Sequence, residues 1–371
     1  MDYSDVNVII DRFQVEGEID ELKAYGSGHI HDTYLLRNKQ AGKPDYILQK
    51  INNSIFTKVD ELMHNIETVI NHLQQKAKNE TSQDIAEKTL SLVQTKNGKS
   101  YYQHADGSYW RMYLFLKGTK GYDLIENDKQ ALEGGRAYGQ FITDLADLDP
   151  AKIHEILSDF HNIEYRLGQL DQVIASDPVK RLKEVSPEVE FVRTRAEQMK
   201  QIKRMGDAGE LPLRITHNDT KFNNVLLNEK DEAQCVIDLD TIMPGYVAFD
   251  FGDAVRTIIN TAEEDEKELE KIQLNMGLFK AFAEGFIEKT RTILTGNEID
   301  SLSQSCLLLP FIMGVRFLTD YIDGDHYYKI HSPHHNLQRA RAQFELVRKI
   351  EGKFEEIQQT IDELSKKHLC I

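Results

Sequence analysis

Cysteine is scarce in this sequence. Cys235, Cys306 and Cys370 are the whole complement, far apart and without a C-x-x-C pair. That excludes a disulfide framework or a thiolate zinc site as the basis of the fold, and it fits a reducing compartment. Basic charge is in deficit too, with 45 Lys and Arg against 61 Asp and Glu and a net charge of −16. A chain this acidic is not built around nucleic acid or an anionic membrane surface. Long apolar runs are also missing. The longest, 306–315, is interrupted by Pro310 and followed by Arg316, so it is too short to span a bilayer and reads as a buried helix. The opening Met1-Asp2-Tyr3-Ser4-Asp5 is acidic and polar, unlike a secretory leader, and the expected location is the cytoplasm. No internal repeat or low-complexity tract is visible.

What the sequence does contain is concentrated in Thr216-His217-Asn218-Asp219-Thr220-Lys221-Phe222-Asn223-Asn224 and, after a short loop, Val236-Ile237-Asp238-Leu239-Asp240. This is H-x-D-x-K-x-x-N followed by an apolar strand ending in Asp. Its polar positions suit phosphoryl transfer. Asp219 can orient an acceptor hydroxyl and take its proton, and Lys221 can reach a γ-phosphate. Asn224 and Asp238 can offer hard oxygens to the Mg²⁺ that accompanies ATP. Asp240 is a candidate for a second metal or for supporting the first. The Asp-to-Asn spacing matches the catalytic loop of protein kinases. The bland alternative, an Asx-rich turn, leaves Lys221 and the I-D-L-D strand as unrelated coincidences. His217 is expected to hold backbone rather than to react.

With 371 residues the chain can build two lobes. Strand patterns dominate up to about residue 117: 19–25, 31–37, 46–51, 90–95, 100–104 and 109–116, with a helical pattern at 57–73. From about 122 the patterns are helical at 130–148, 153–173, 187–205, 264–294, 301–321 and 335–367, broken by a β-island at 214–240. The expected fold is therefore α+β and bilobal, protein-kinase-like, with a β-rich lobe at 1–117 and a larger helical lobe at 118–371. The polar stretch 76–88 reads as an insertion. The long C-terminal patterns fit either a dimer or packing of the second lobe.

Gly26-Ser27-Gly28 at a hairpin tip lets backbone N–H groups approach phosphates without an intervening Cβ. Lys50, on the strand that follows, is a candidate for the α- and β-phosphates, with Glu61 or Glu67 as its helix partner. The segment 113–118, around Phe115, would form the hinge that meets a purine. Asp250-Phe251-Gly252 spells the D-F-G of protein kinases, but it opens a helical pattern. Asp250 is therefore read as structural, and Asp238 as the metal carboxylate. No A-P-E segment lies between Asp238 and the next helix, which disfavours a protein kinase. His326, His331, His334 and His335 read as a solvated loop in preference to a sugar contact or a zinc site.

These motifs resemble the aminoglycoside phosphotransferase and choline kinase superfamily, and within it the N-acetylhexosamine 1-kinases. The likeness runs through Tyr25 to Tyr34, Asp159-Phe160-His161-Asn162, the catalytic loop, residues 235–256 and residues 314–321. The resemblance implies ATP- and Mg²⁺-dependent phosphorylation of the anomeric hydroxyl of GlcNAc or GalNAc, a small-molecule sugar substrate. It further implies that His29, Arg316 and Tyr327 contact the sugar. His31 departs from the family pattern, where Asn is expected. Arg316 also has a physical argument: a guanidinium inside an apolar helix must find acceptors, in an ion pair or in a substrate. Another small hydroxylated acceptor, including a cationic one near Asp320, Asp323 and Asp325, is the alternative. A catalytically silent binding module is a further one, and it would have lost a base or metal ligand.

Overall fold

The computed structural model describes residues 3–26, 30–80 and 89–369. The chain opens with a short helix, α1 (Tyr3–Ile10), ahead of the first expected strand and in addition to the one helix expected in this lobe. Its apolar stripe, Val6, Ile9 and Ile10, spans barely two turns, too short a window to show helical periodicity in sequence. The strands β1 (Ile19–Ala24), β2 (Asp32–Asn38) and β3 (Tyr46–Ile51) follow, then α2 (Val59–Glu80), β4 (Tyr101–Gln103) and β5 (Tyr109–Leu114). Together the strands form an antiparallel sheet in the order β1-β2-β3-β5-β4. The expected strand at 90–95 contributes isolated bridges, Leu92 to Tyr113 and Phe13 to Thr95. Of the stretch 76–88, residues through Glu80 continue α2, and 81–88 lie outside the described residues.

The pleat divides this sheet into two faces. Leu36, Tyr46, Leu48, Trp110 and Met112 pack under α1 with Val6, Ile9 and Phe13. Ile51 and Tyr113, with Ile47 beside them, face α2 through Leu62, Met63, Ile66, Val69 and Ile70. The same cluster includes Phe141, Leu145, Ile215, Leu239 and Ile242 from the second lobe. The sheet and the helical lobe thus share a layer of core.

The second lobe begins with β6 (Thr119–Lys120) and α3 (Asp128–Asp144), followed by α4 (Ile163–Ser176), α5 (Ser186–Met199) and α6 (Gln201–Asp207). Then come β7 (Arg214–Thr216), β8 (Val225–Asn228), β9 (Ala233–Val236) and β10 (Met243–Gly245). The helices α7 (Val247–Ile258), α8 (Met276–Thr290), α9 (Gly296–Asp323), α10 (His335–Glu351) and α11 (Phe354–Leu369) complete it. Caps and breaks shorten several expected helices. Asn162 caps α4 by accepting from Glu164 and Tyr165 N–H, and Asn275 caps α8 by accepting from Leu278 N–H. The pattern at 335–367 divides at Gly352.

Helix α9 is long and apolar enough to cross a membrane by length and composition, but 83% of its most apolar window is buried inside the protein. It packs against α4, α5, α7 and α10. A second axis is the crossing of α3 and α8. A Cβ on Gly135 would lie 2.1 Å from the Phe282 carbonyl oxygen, and one on Gly285 would lie 2.1 Å from that of Leu132. The two helices meet backbone to backbone.

Candidate active site

The catalytic loop connects two small β-units. Strand β7 pairs with β10, and β8 pairs with β9, placing Val225 opposite Val236. Asp250 holds the loop from below. Its Oδ2 accepts from the His217 N–H at 2.8 Å and its Oδ1 from the Asn218 N–H at 2.7 Å. The Thr220 hydroxyl donates to the Asp250 carbonyl at 2.6 Å, and the Thr220 N–H donates to Asp253 at 2.9 Å. Burial pushes the Asp250 carboxyl up to about 7, against the lowering pull of its two N–H donors. Gly252 has its own reason. A Cβ there would stand 2.4 Å from the Ser305 carbonyl oxygen, so glycine lets α7 sit against α9. The D-F-G letters therefore carry scaffolding here.

His217 is fully buried. Its Nε2–H donates to the Ile237 carbonyl at 2.9 Å while Nδ1 accepts from the Asp219 N–H at 3.3 Å. Burial lowers its pKa, which keeps the ring neutral and fits a purely positioning role. From α3, the Tyr138 hydroxyl donates to the Lys221 carbonyl at 2.6 Å, coupling the glycine-bound helix pair to the loop.

The loop gathers four of the expected residues. Lys221 Nζ lies 3.1 Å from Asp219 Oδ1, and that carboxylate raises the lysine pKa. Asn224 Nδ2 donates to the Asp219 carbonyl at 2.9 Å, which leaves its Oδ1 outside that bond. The Ile237 N–H donates to the Asn224 carbonyl at 2.9 Å, which brings Asp238 beside Asn224. Asp238 adopts a left-handed backbone conformation with φ of 60°. Solvent reaches its side chain. Even so, desolvation within the cleft, followed by the charges of Asp240 and Asp219, raises its pKa well above the usual carboxylate range. Among the described residues no group of three His, Cys, Asp or Glu forms a metal cage. Mg²⁺ commonly takes one or two carboxylates and completes its shell with phosphates and water, so an amide oxygen and a crowded carboxylate fit it.

Asp240 is placed as a support beside Asp238, one of the two roles expected of it. It is 2% exposed, and both oxygens are engaged by the sheet lobe. Arg111 donates from Nη1 to Oδ1 and from Nη2 to Oδ2, the latter at 2.6 Å. His31 Nε2 donates to Oδ2 at 2.8 Å. Burial alone would raise the Asp240 pKa, but the guanidinium and imidazole hold it well below the usual range. These bonds tie the two lobes together at Asp240, within hydrogen-bonding reach of Asp238. His31 Nδ1 accepts from the Asn52 N–H at 3.0 Å, which puts the ring proton on Nε2. Its ring stacks on Phe56.

Lys50 alternates with Tyr46 and Leu48, on the face under α1, and pairs in register with the buried Trp110. It makes no ion pair among the described residues. Glu61 pairs with Lys58 at 3.1 Å, and Glu67 lines a cavity of about 440 Å³ with Gln14, Glu16 and Gln94. The cleft-side cation of the sheet is Arg111, whose Nε also donates to Gln49 at 3.0 Å. In the sequence Arg111 looks like any polar residue in an alternating strand. Only the pairing of β3 with β5 shows which face it serves.

Gly26 has φ of 82° and open space around a notional Cβ, as a hairpin tip requires. Ser27, Gly28 and His29 lie outside the described residues. Phe115 is in the link between β5 and β6. Its N–H donates to the Asp45 carbonyl at 2.9 Å, and its ring meets Tyr25 edge-on and carries Arg37 at 5.0 Å. Arg316 and Tyr327 come together, the guanidinium 5.8 Å from that ring, 5.6 Å from Tyr328 and 5.1 Å from Phe160. The histidine loop is solvated at His326, His331 and His334, and only His335 turns inward. His335 is 3% exposed and bonds Asp265 at 3.0 Å, and His334 Nδ1 meets the Tyr321 hydroxyl at 2.6 Å. Asp320 accepts from Tyr327 N–H, Tyr328 N–H and Asn336, while Asp325 pairs with Arg181.

This arrangement of a β-rich lobe, a helical lobe and a catalytic loop between them recurs in solved structures. A microcompartment-associated aminopropanol kinase shares the fold at a TM-score of 0.65 and 15% identity, with 96% of this chain and 98% of that one covered. The amicoumacin kinase hAmiN, in complex with AMP-PNP, Ca²⁺ and Ami, matches at 0.58 and 13%, covering 94% of each chain. A choline kinase from Cryptosporidium parvum Iowa II matches at 0.53 and 13%, covering 99% and 97%. The sequence pattern of the phosphotransferase enzyme family matches residues 21–276, and the chain belongs to that family.

Proposed function

We propose that this protein is an ATP- and divalent-metal-dependent small-molecule kinase that phosphorylates the anomeric hydroxyl of N-acetylhexosamines. The observation carrying the kinase reading is the convergence of Asp219, Lys221, Asn224 and Asp238 on one loop and hairpin. Asp219 accepts the proton of the acceptor hydroxyl as the acceptor oxygen bonds to the γ-phosphorus and the bond to the β–γ bridging oxygen breaks. Lys221 offsets the charge on the transferring group, and positioning and charge stabilisation supply most of the rate. A divalent cation, when bound, neutralises the phosphates, and Asn224 and Asp238 are the residues that would hold it. The sugar reading is supported by the resemblance of the flanking signatures and by Arg316 meeting Tyr327 beside Phe160.

The second reading is an amino-alcohol or aminoglycoside acceptor, favoured by the aminopropanol and choline kinases of like fold. ADP release with Mg-ATP over GlcNAc, GalNAc, glucose, galactose, choline and kanamycin, with the phosphate position read by NMR, separates the two. C1 phosphate on the N-acetylhexosamines is the expected result. Turnover confined to choline or kanamycin would discard the sugar assignment. Asp219→Asn should abolish turnover and retain nucleotide binding, and near-wild-type rates in that variant would refute the base assignment.

A further inference from the structure

Beside the catalytic loop, a group of polar atoms lacks the partners that buried polar atoms normally have. His161 is 8% exposed, and its Nε2 donates to the carbonyl of Asn218, the residue before Asp219, at 3.2 Å. That bond fixes the tautomer and leaves Nδ1 as a lone-pair acceptor, buried and unpartnered. Burial lowers the His161 pKa to about 4, so the ring is neutral at physiological pH. Tyr328 Oη and Arg166 Nε are likewise buried without a partner. Arg166 spends its other nitrogens on Gln169 at 2.9 Å and the Phe160 carbonyl at 3.1 Å. Among the described residues, the only hydrogen-bond contact of Arg316 is a 3.7 Å approach to Met313 Sδ.

The charges are equally unbalanced. Neither Arg166 nor Arg316 has a carboxylate partner among the described residues, and burial together with repulsion from Arg316 lowers the Arg166 pKa. Two of the three carboxylates that could have served a cationic acceptor are spent elsewhere. Asp320 caps the backbone of Tyr327 and Tyr328, and Asp325 pairs with Arg181. An ammonium group entering here would meet two guanidinia without carboxylate partners, while the nearby carboxylates Asp253 and Glu264 are already paired with Arg256. A group carrying oxygen acceptors would satisfy them, and an adjacent hydroxyl would satisfy His161 Nδ1.

We propose that His161, Arg166, Arg316 and Tyr328 form the specificity face of the acceptor subsite, and that it selects a polyhydroxy compound bearing an amide carbonyl or carboxylate and rejects an ammonium. This rests on the kinase reading above and deepens it. It sets this chain apart from the amino-alcohol kinases that share its fold.

The test uses the full chain with Mg-ATP at pH 6.5 and compares N-acetylglucosamine, glucosamine, glucuronic acid, 1-amino-2-propanol and choline. Acceptor binding is measured in parallel by calorimetry with a non-hydrolysable ATP analogue. The expected result is a kcat/KM for N-acetylglucosamine or glucuronic acid at least about 100-fold above every amine. The arm that responds identifies an amide carbonyl or a carboxylate. The glucosamine rate should recover as pH rises and its amine loses the proton. Arg166→Gln, checked for folding by thermal melting, should cut the discrimination at least about tenfold, through KM more than kcat, with Mg-ATP affinity unchanged.

Equal or better turnover of the amines overturns the proposal. So does an unchanged ratio in a folded Arg166→Gln and a folded His161→Phe. Phosphorylation of neutral or acidic acceptors other than N-acetylhexosamines would sink the sugar 1-kinase reading and leave this one standing. Equal use of glucosamine and N-acetylglucosamine would do the reverse. No turnover and no binding of any oxygen-bearing acceptor would overturn both.

Discussion

Replacing Arg111 with methionine is the sharpest test of how the two lobes are joined. Arg111 is 1% exposed and its partner Asp240 is 2% exposed. Losing the guanidinium therefore strands a carboxylate away from water. Breaking a buried pair from one side typically costs about 3–5 kcal/mol. His31 still donates to Asp240 at 2.8 Å, which argues for the lower half of that range. The double variant Arg111→Met, Asp240→Leu removes both charges and should recover most of the stability, because desolvation then penalises neither side. Its kcat should nonetheless stay low, since the polar contacts that fix the lobe angle next to Asp238 would be gone and only the shared apolar layer would remain. Urea unfolding followed by fluorescence gives the stability directly. Trp110 is the sole tryptophan, is fully buried, and neighbours Arg111 on β5. A loss below about 1 kcal/mol in Arg111→Met, the scale of an exposed pair, would refute the reasoning. The pH dependence has a definite sign. A carboxyl whose folded pKa is depressed stabilises the fold above its unfolded pKa of about 4, and that contribution is lost only as pH falls below it.

Asp238→Ala should lose metal-dependent nucleotide binding with little loss of stability, because it removes a crowded carboxylate. Asp250→Ala should lower stability by roughly 2–5 kcal/mol by orphaning two backbone N–H groups. The reverse pattern in metal titration and denaturation would assign the metal to Asp250. His161, with its pKa lowered to about 4, should cost wild type stability as pH falls from about 6.5 toward 4, where the unfolded chain binds the extra proton. Asp250, raised to about 7, acts with the opposite sign over that window, so the comparison is with His161→Phe, in which the Asp250 contribution cancels. The gap between the two proteins should shift by roughly 3 kcal/mol in favour of the variant. A pH-independent gap would mean His161 is not held neutral by the fold.

The architecture and the catalytic loop were legible because their signals are local. H-x-D-x-K-x-x-N and the following strand-Asp lie within one β-island, and short-range hydrogen bonds fix their geometry. The structural role of Asp250 was readable from the helical pattern that follows it. What the sequence hid depends on which face of a strand meets which lobe. Lys50 and Gln49 are adjacent letters, and the one-residue alternation of the pleat sends them to opposite sides. Arg111 and His31 are 80 residues apart in sequence, and their common partner Asp240 lies 129 residues beyond Arg111. No periodicity can reveal such a meeting. The breaks inside the expected helices at 153–173 and 264–294 were hidden for another reason. Asparagine caps start the helices late, and their apolar flanks keep a helical look.

The placement of the Arg111–His31–Asp240 junction also determines how the cleft can move. A tether at Asp240, two residues from Asp238, acts as a fulcrum, and displacement in a rigid rotation grows with distance from the pivot. Opening would swing the hairpin tip at Gly26 through a wide arc while leaving Asp238, the carboxylate proposed to hold the metal, nearly still. Nucleotide could then enter and leave at the rim without the reacting centre being rebuilt on each cycle, so the protein would trade access at one end for constancy at the other.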